Sequence, residues 1–415
     1  MAIKTKHREI KDGFSIDSTL FDALAKMEPK ATHQFIPLTW KKAVDFSVWD
    51  EHGNKWIDLT SAIFVANAGH ANSKIKQAIK DQVDADLLFA YNYPTEIKYK
   101  FISKLLEISP KHFNRVTLLN SGSEAMDITY RLVKQYGKAR NKKYIVTFTG
   151  AYHGRGLSNE LISGNKEKAS SWSGISDSDI VFLNFPYDEK SAFDVSQLPP
   201  ADQIAGFILE TFQGWGAWFY PKGFVNEIYA LAQKHGALLC FDEMQAGFYR
   251  LGPLYGYMTY GEEIKPDIIA LGKGISSSLP LSAVLSREDL VDLDPKADLH
   301  GTHSGNAVCC AASLANIEFL SSAEEVQKRT KTNAVFTSEL QNLASSPLIK
   351  QVNVRGMIAA LIFHKTEEAS RVVRGCIESG VLPVCTNRES IKIAPPLTIT
   401  EDAIRECMGV IKSFL

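Results

Sequence analysis

The sequence predicts an α/β protein with a large domain on a mostly parallel central sheet and a smaller α+β domain drawn from both chain ends. Three observations carry this expectation. Between Val116 and Leu285, short and nearly continuous apolar runs alternate with helical stretches, the pattern of strands covered on both faces by helices. Residues 1–60 and 305–415 instead mix helices with short strands. A chain of 415 residues also exceeds one compact core and suits about two domains, at roughly 100–200 residues each. The expected division is 1–60 and 305–415 for the two parts of the small domain and 61–304 for the large one.

In chain order, residues 17–27 read as a helix, and FSVWDEHGNKWIDL as a strand pair turning at Gly53-Asn54. The core strands are VTLL (116–119), YIVTF (144–148), IAGFILE (204–210), ALLCFD (237–242), DIIALG (267–272) and LSAVL (281–285). Helices are expected at 123–140 and 223–235, and KASSWSGISDS (168–178) reads as a loop. Toward the C-terminus, helices at 306–320, 322–345 and 366–379 accompany strands around 349–364 and 390–394.

The net charge of −1, with no long Lys/Arg run interleaved with aromatics, argues against nucleic acid as a partner. Recognition must then reside in a local pocket. The six cysteines show neither zinc-ligand nor disulfide-framework spacing, which points to reduced thiols and no metal centre. The polar start MAIKTKHREIKDGF and the lack of a run of about 20 apolar residues predict a soluble, cytoplasmic protein.

Four local features bear on chemistry. The segment Asn120-Ser121-Gly122-Ser123-Glu124-Ala125 follows a strand and opens a helix, and Ser121 with Glu124 fits a capping box. Gly122 lets a ligand approach first-turn amides at the positive end of the helix dipole, and Ser123 adds a hydroxyl donor. Taken alone, this is more simply a capped helix. Asp242 ends ALLCFD, at the strand edge where open α/β sheets hold ligands. It suits a metal ligand, a general base, a partner for a cationic nitrogen, or a plain turn acid. Lys273, in LGKG just past another strand, becomes a usable amine nucleophile if partly desolvated, and is otherwise a loop lysine. Tyr152-His153-Gly154 supplies a flat ring. In combination these features meet the needs of pyridoxal 5'-phosphate (PLP): an anion site, a stacking face, a charge for the pyridinium nitrogen and an imine-forming amine.

The segments NSGSEAMD, GAYHGRG, LETFQGWG, FDEMQAGFYRLG, IIALGKGI, HGTHSGNAVCCAA and IKIAPPLTIT resemble, in order and spacing, the class III aminotransferases of the fold-type I PLP enzymes. The likeness runs from about residue 35 to 415. It implies that Lys273 forms the imine with PLP and shuttles a proton, and that Asp242 keeps the ring nitrogen protonated. Gln245 would meet the phenolic oxygen, Tyr152 would stack on the ring with His153 supporting its loop, and Glu210 would lie near the ring. Ser121, Gly122 and Ser123 would hold the phosphate. Thr302 would complete that site from a neighbouring subunit, which implies a homodimer.

The sequence departs from the family toward the substrate. Ser61-Ala62 stands where Ser-Gly is common, and Ser73 where Pro is common. Lys392 replaces the Arg that grips an α-carboxylate, and Trp215 replaces a Glu of the ornithine-type enzymes. Phe64, Trp215 and Lys392 are therefore the expected substrate contacts. Trp218, Phe219 and Tyr220 are further aromatics that would either stack on a substrate or pack the core. The expected reaction moves an amino group between an amine, with an amino sugar or ω-amine as the candidates, and a 2-oxo acid such as 2-oxoglutarate or pyruvate. Decarboxylation, isomerisation or elimination by the same Lys and Asp is the alternative, and a non-catalytic PLP-binding role a more distant one.

Overall fold

The structure, a computed structural model, describes residues 2–29, 31, 37–188, 190–191 and 193–415. The onset of the family likeness near residue 35 lies outside the described residues. The chain divides into two compact units, Met1–Asn72 with Trp215–Ala217 and Ser322–Leu415, and Ser73–Gly214 with Trp218–Ser321. The divisions at 72/73 and 321/322 differ from the expected 60/61 and 304/305. The Ala307–Ser321 helix packs on Ser73–Asp84 and Glu96–Ile108, which draws it into the larger unit. In the smaller unit, the Leu397 amide donates to the Asn67 carbonyl at 2.9 Å and holds the 61–72 segment there.

The larger unit is built on seven strands: β1 (Arg115–Leu119), β2 (Tyr144–Phe148), β3 (Ile180–Leu183), β4 (Ile204–Glu210), β5 (Leu238–Asp242), β6 (Ile268–Leu271) and β7 (Ser282–Ser286). Their order in the sheet is β1-β7-β6-β5-β4-β2-β3. Every pairing is parallel except those of β7, which runs against both neighbours. The C-terminal ends of β1, β4, β5 and β6 therefore share one edge of the sheet. All seven residues of β4 are buried, which explains why it reads as an unbroken apolar run rather than an alternating one.

The Gly122–Ala139 helix supplies the main cover on one face. It buries Met126, Leu132, Val133 and Tyr136 against Ile208, Leu238, Ile268 and Val284. Two expectations need correction here. Residues 168–178 are not wholly a loop, because Glu167–Ser173 is helical and stops at Gly174 in the left-handed conformation. Edge strand β3 was absent from the expected set.

In the smaller unit, Val381–Leu382 pairs parallel with Lys55–Asp58, so one sheet contains residues from both chain ends. Lys55–Asp58 also pairs with Ser47–Trp49, forming the hairpin expected at Gly53-Asn54. A four-stranded antiparallel sheet follows, with Ile349–Arg355, Ile358–Phe363, Ser390–Ile393 and Val384–Cys385. The N-terminal helix is shorter than 17–27, spanning Thr19–Leu24 with no buried residue. After Lys55–Asp58 the backbone makes a left-handed turn, with φ of 47°, 49°, 60° and 68° at Ser61, Ala62, Ile63 and Phe64. Non-glycine residues take this conformation at a cost of roughly 1–2 kcal/mol each. The turn is held by the Ser61 hydroxyl, which donates to the Ala394 carbonyl at 2.7 Å, and by Asp58, which accepts the Thr60 amide at 2.7 Å. Among the described residues no helix is long and apolar enough to cross a membrane.

Candidate active site

The strand ends at the shared edge of the large sheet surround a cavity of about 220 Å³. Nine residues singled out from the sequence line it: Ser121, Gly122, Ser123, Tyr152, His153, Glu210, Asp242, Gln245 and Lys273. Asp242 and Glu210 are direct neighbours across β5 and β4. Lys273 follows β6 in a short 3₁₀ turn, with φ of 45°. Burial pulls its pKa below the usual lysine range, while the charges of Asp242 and Glu210 oppose that shift. A lysine in this setting deprotonates more readily than one in water, as an amine nucleophile requires.

At the end of β1, Ser121 caps the Gly122–Ala139 helix. Its hydroxyl accepts the Glu124 amide at 3.3 Å, and Glu124 accepts the Ser121 amide at 2.6 Å, so the box is closed. Gly122 and Ser123, whose first-turn amides have no helical partner, are both part of the cavity lining. A Cβ at Gly122 would lie 2.8 Å from Met244 Sδ, so a larger residue there would make the Met244 side chain shift. Gly154, at φ of 119°, brings its backbone against Ser123, where a Cβ would lie 2.5 Å from the hydroxyl.

His153 is 2 % exposed, and its Nδ1 lies 2.9 Å from Asp242 Oδ2. Asp242 Oδ1 accepts the Met244 amide at 3.0 Å, so both carboxylate oxygens have partners. The Tyr152 amide donates to Glu210 Oε2 at 3.0 Å, fixing the loop that presents the Tyr152 ring. That ring also meets Lys168 Nζ, 5.5 Å from its centroid, and its hydroxyl accepts from Arg155 Nε at 3.2 Å.

Several supporting residues escaped sequence reasoning. Asn159 Nδ2 donates to the carbonyls of Ser123 and His153, at 3.0 and 2.9 Å, and so ties the helix start to the Tyr152-His153 loop. Ser163 accepts the His153 amide at 2.9 Å. Met244 fills the space between Gly122 and Gly272. Nothing about Asn159 or Ser163 marks them in the sequence, because their partners come from folding; the glycines beside Met244's contacts were the available signal.

The remaining expected residues are not among those lining this cavity. Thr302 is exposed and does not line the cavity. Phe64, Trp215 and Lys392 belong to the smaller unit, where Lys392 Nζ sits 4.7 Å from the Phe64 ring and the Arg388 guanidinium 5.0 Å from the Trp215 ring. Phe64 is only 1 % exposed and Lys392 8 %. The aromatics after Gln213 divide in favour of core packing. Tyr220 packs with Phe148, Phe185 and Phe224, Phe219 with Phe212, and Trp218 with Tyr187. A substrate-stacking platform made of Trp218, Phe219 and Tyr220 is therefore not what these residues form.

The cavity suits PLP. It combines helix-start amides with the Ser123 hydroxyl, a strand-end carboxylate, a desolvated lysine amine and an aromatic face. Two buried polar atoms in its wall, His153 Nε2 and Gln245 Oε1, have no hydrogen-bond partner. An amide with an unpartnered end can turn either its oxygen or its NH₂ toward a bound ring oxygen. Among the described residues no group of His, Cys, Asp and Glu side chains could hold a metal ion.

Comparison with known proteins agrees. The family profile for class III aminotransferases matches residues 28–415. The chain is 30% identical over 389 residues to the mitochondrial ornithine aminotransferase of Rattus norvegicus, covering 91% of this chain and 85% of that protein. It is 29% identical over 384 residues to the acetylornithine aminotransferase of Methanothermobacter thermautotrophicus, covering 92% and 94%. The fold also matches the ornithine aminotransferase of Toxoplasma gondii, in a structure with partial occupancy of PLP at the active site. There the TM-score is 0.84 at 23% identity, over 95% of this chain and 93% of that one. With the strand-end lysine, the carboxylate and the capped helix start around one cavity, and a family match over nearly its whole length, the chain belongs to the class III aminotransferases.

Proposed function

We propose that this PLP-dependent aminotransferase takes its amino group from a terminal (ω-) amine, on a carbon without an adjacent carboxylate, and passes it to a 2-oxo acid such as 2-oxoglutarate or pyruvate. Lys392 carries the reading. Its ammonium rests against the Phe64 ring as a single point charge, where a guanidinium would offer a carboxylate two parallel bonds. The names of the ornithine and acetylornithine relatives, both compounds with a terminal amine position, support the same class. An amino-sugar substrate loses support, because the aromatic rings that would stack on it pack in the core.

Bound in the cavity, PLP would supply a carbonyl that takes up the amine and a ring that accepts the electron pair from the substrate carbon. The chain's own residues do the rest. Lys273 provides the amine that links to the cofactor and, once released, carries the proton between carbons at its Nζ. Asp242 keeps a proton on the ring nitrogen, with His153 holding the carboxylate from behind. Tyr152 supplies the stacking face, Gln245 faces the phenolic oxygen, and Ser121, Gly122 and Ser123 receive the phosphate. Glu210 anchors the Tyr152 loop.

The same proposal includes a homodimer in which Thr302 reaches the phosphate of the partner subunit, supported by its exposed position. Sizing should give about twice the 46.0 kDa chain mass, and a fully active monomer would refute it. The free cysteines suit a reducing, cytoplasmic location. The substrate reading is tested by kcat/KM across diamines, ω-amino acids, amino sugars and common α-amino acids, each with 2-oxoglutarate and pyruvate. Terminal amines should lead. A lead by α-amino acids or amino sugars defeats the proposal.

A further inference from the structure

Glu243 follows Asp242 yet lines none of the cavity, and it is 1 % exposed. Its Oε1 accepts the Thr211 hydroxyl at 2.5 Å and the Tyr257 amide at 2.6 Å, and its Oε2 accepts the Gly256 amide at 2.7 Å. Burial pushes its pKa up to about 7, with the charge of Asp242 adding to the rise and these three donors restraining it. A carboxyl group kept in the interior at such a cost needs a reason, and three converging donors match the ionised form rather than the protonated one.

The segments it joins all bear on the cavity. Thr211 follows Glu210, and the Thr211 amide donates to the Asp242 carbonyl at 3.2 Å, extending the β4–β5 ladder by one step. The carbonyl of Glu243 accepts the Ala246 and Gly247 amides, at 3.2 and 2.9 Å, and so shapes the turn that carries Gln245. Gly256 packs so closely on this turn that a Cβ there would lie 2.6 Å from the Ala246 methyl. One side chain thus connects the end of β4, the end of β5 and the Gly256–Tyr257 segment, behind the residues that face the cavity.

We propose that Glu243 is a positioning residue for the aminotransferase reaction: its carboxylate latches β4 and the Gly256–Tyr257 segment to the end of β5 and so holds Glu210, Asp242 and Gln245 in place around the cofactor. The inference rests on the proposed roles of Asp242 and Gln245. In Glu243→Gln, one end of the amide presents N–H to a backbone N–H, and the latch cannot close. In Thr211→Val a methyl replaces the donor hydroxyl.

The test uses both variants as holoenzymes, with Asp242→Asn alongside, reading kcat, KM for the amine, PLP dissociation constant by equilibrium dialysis, visible absorption maximum and thermal midpoint. Glu243→Gln should lower kcat about tenfold and weaken PLP about tenfold, with a displaced absorption maximum and KM changed less than about threefold, as for other supporting shells of catalytic groups. Thr211→Val should act in the same direction by about fivefold, the loss of one hydrogen bond. Because Thr211 also lines the cavity, Thr211→Ser, which keeps the hydroxyl, is the control. If Glu243→Gln does not fold, the difference between Thr211→Val and Thr211→Ser carries the test, and equal effects of the two overturn the inference. If Asp242→Asn is impaired while the other variants keep wild-type spectrum, PLP affinity and kcat and lose only thermal stability, Glu243 is structural and the inference is overturned. If Asp242→Asn is itself like wild type, the reading of the cofactor residues falls, and this inference with it.

Discussion

The residues around Lys273 and those around Lys392 are two polar clusters built on different principles. In the first, each charge meets a directional partner: Asp242 has His153 and the Met244 amide, Glu210 has the Tyr152 amide, and Ser121 and Glu124 close on each other. In the second, cations also meet ring faces, Lys392 that of Phe64 and Arg388 that of Trp215, beside a left-handed turn of four non-glycine residues. Directional networks tolerate little exchange, because removing one member leaves another buried and unpaired. A cation on a ring selects charge rather than shape, so its members can vary with the substrate. On the roles proposed above, the first cluster carries chemistry common to the family and the second what distinguishes this chain.

Substitutions in each cluster can break or sharpen that contrast. The largest effect is expected for Lys273→Ala, which should lose at least ~10³-fold in turnover together with the borohydride-reducible link to the cofactor, as when a nucleophile that acts in a unit is removed. A variant that still forms the link would show that another residue is the nucleophile. Next is Asp242→Asn, expected to retain much of its cofactor yet lose about 10²-fold in kcat, the usual cost of one preorganised electrostatic partner. Near-normal turnover would mean the directional network is not aimed at the ring nitrogen.

Lys392→Arg belongs to the second cluster and should change preference rather than rate. The fork it introduces should raise kcat/KM for α-amino acids relative to terminal amines by about tenfold, the worth of one charge-assisted contact. An unchanged ratio would remove Lys392 from substrate selection. The smallest effect is expected for Ala62→Gly. Glycine takes the φ of 49° found there without steric penalty, so the apo-protein should gain ~1 kcal/mol, partly offset by chain entropy, visible as a higher denaturant midpoint. Loss of stability would mean that the Ala62 methyl makes contacts worth more than the strain.

The two clusters also differ in how legible they are. Ser121-Gly122-Ser123-Glu124 can be read from the chain because a capping box is local, its partners three residues apart. Asp242 and Lys273 can be read because each ends a continuous apolar run, and strand ends of an α/β sheet are where ligands are held. Asn159, Ser163 and Glu243 could not, since each acts on backbone groups brought near only by folding. The helix at Glu167–Ser173 was hidden by a Ser-rich composition that resembles a loop, although Gly174 does end it in the expected left-handed form. β3 is four residues at a sheet edge, only half of them buried, too short for periodicity to declare.

The sequence by itself determined the class of chemistry: spacing along one chain is enough to specify strand ends, a helix start and a lysine between glycines. It also carried the departures at Ala62, Trp215 and Lys392, as identities without consequences. Only the tertiary structure decided what those identities do. Whether an aromatic residue stacks on a ligand or on its neighbours depends on which surfaces meet, and Tyr220, Phe219 and Trp218 met other rings. Whether a lysine is a nucleophile or a surface charge depends on the water it loses. The fold desolvates Lys273 within the influence of the Asp242 and Glu210 charges, which local spacing cannot express because burial and charge proximity arise from residues far apart in the chain.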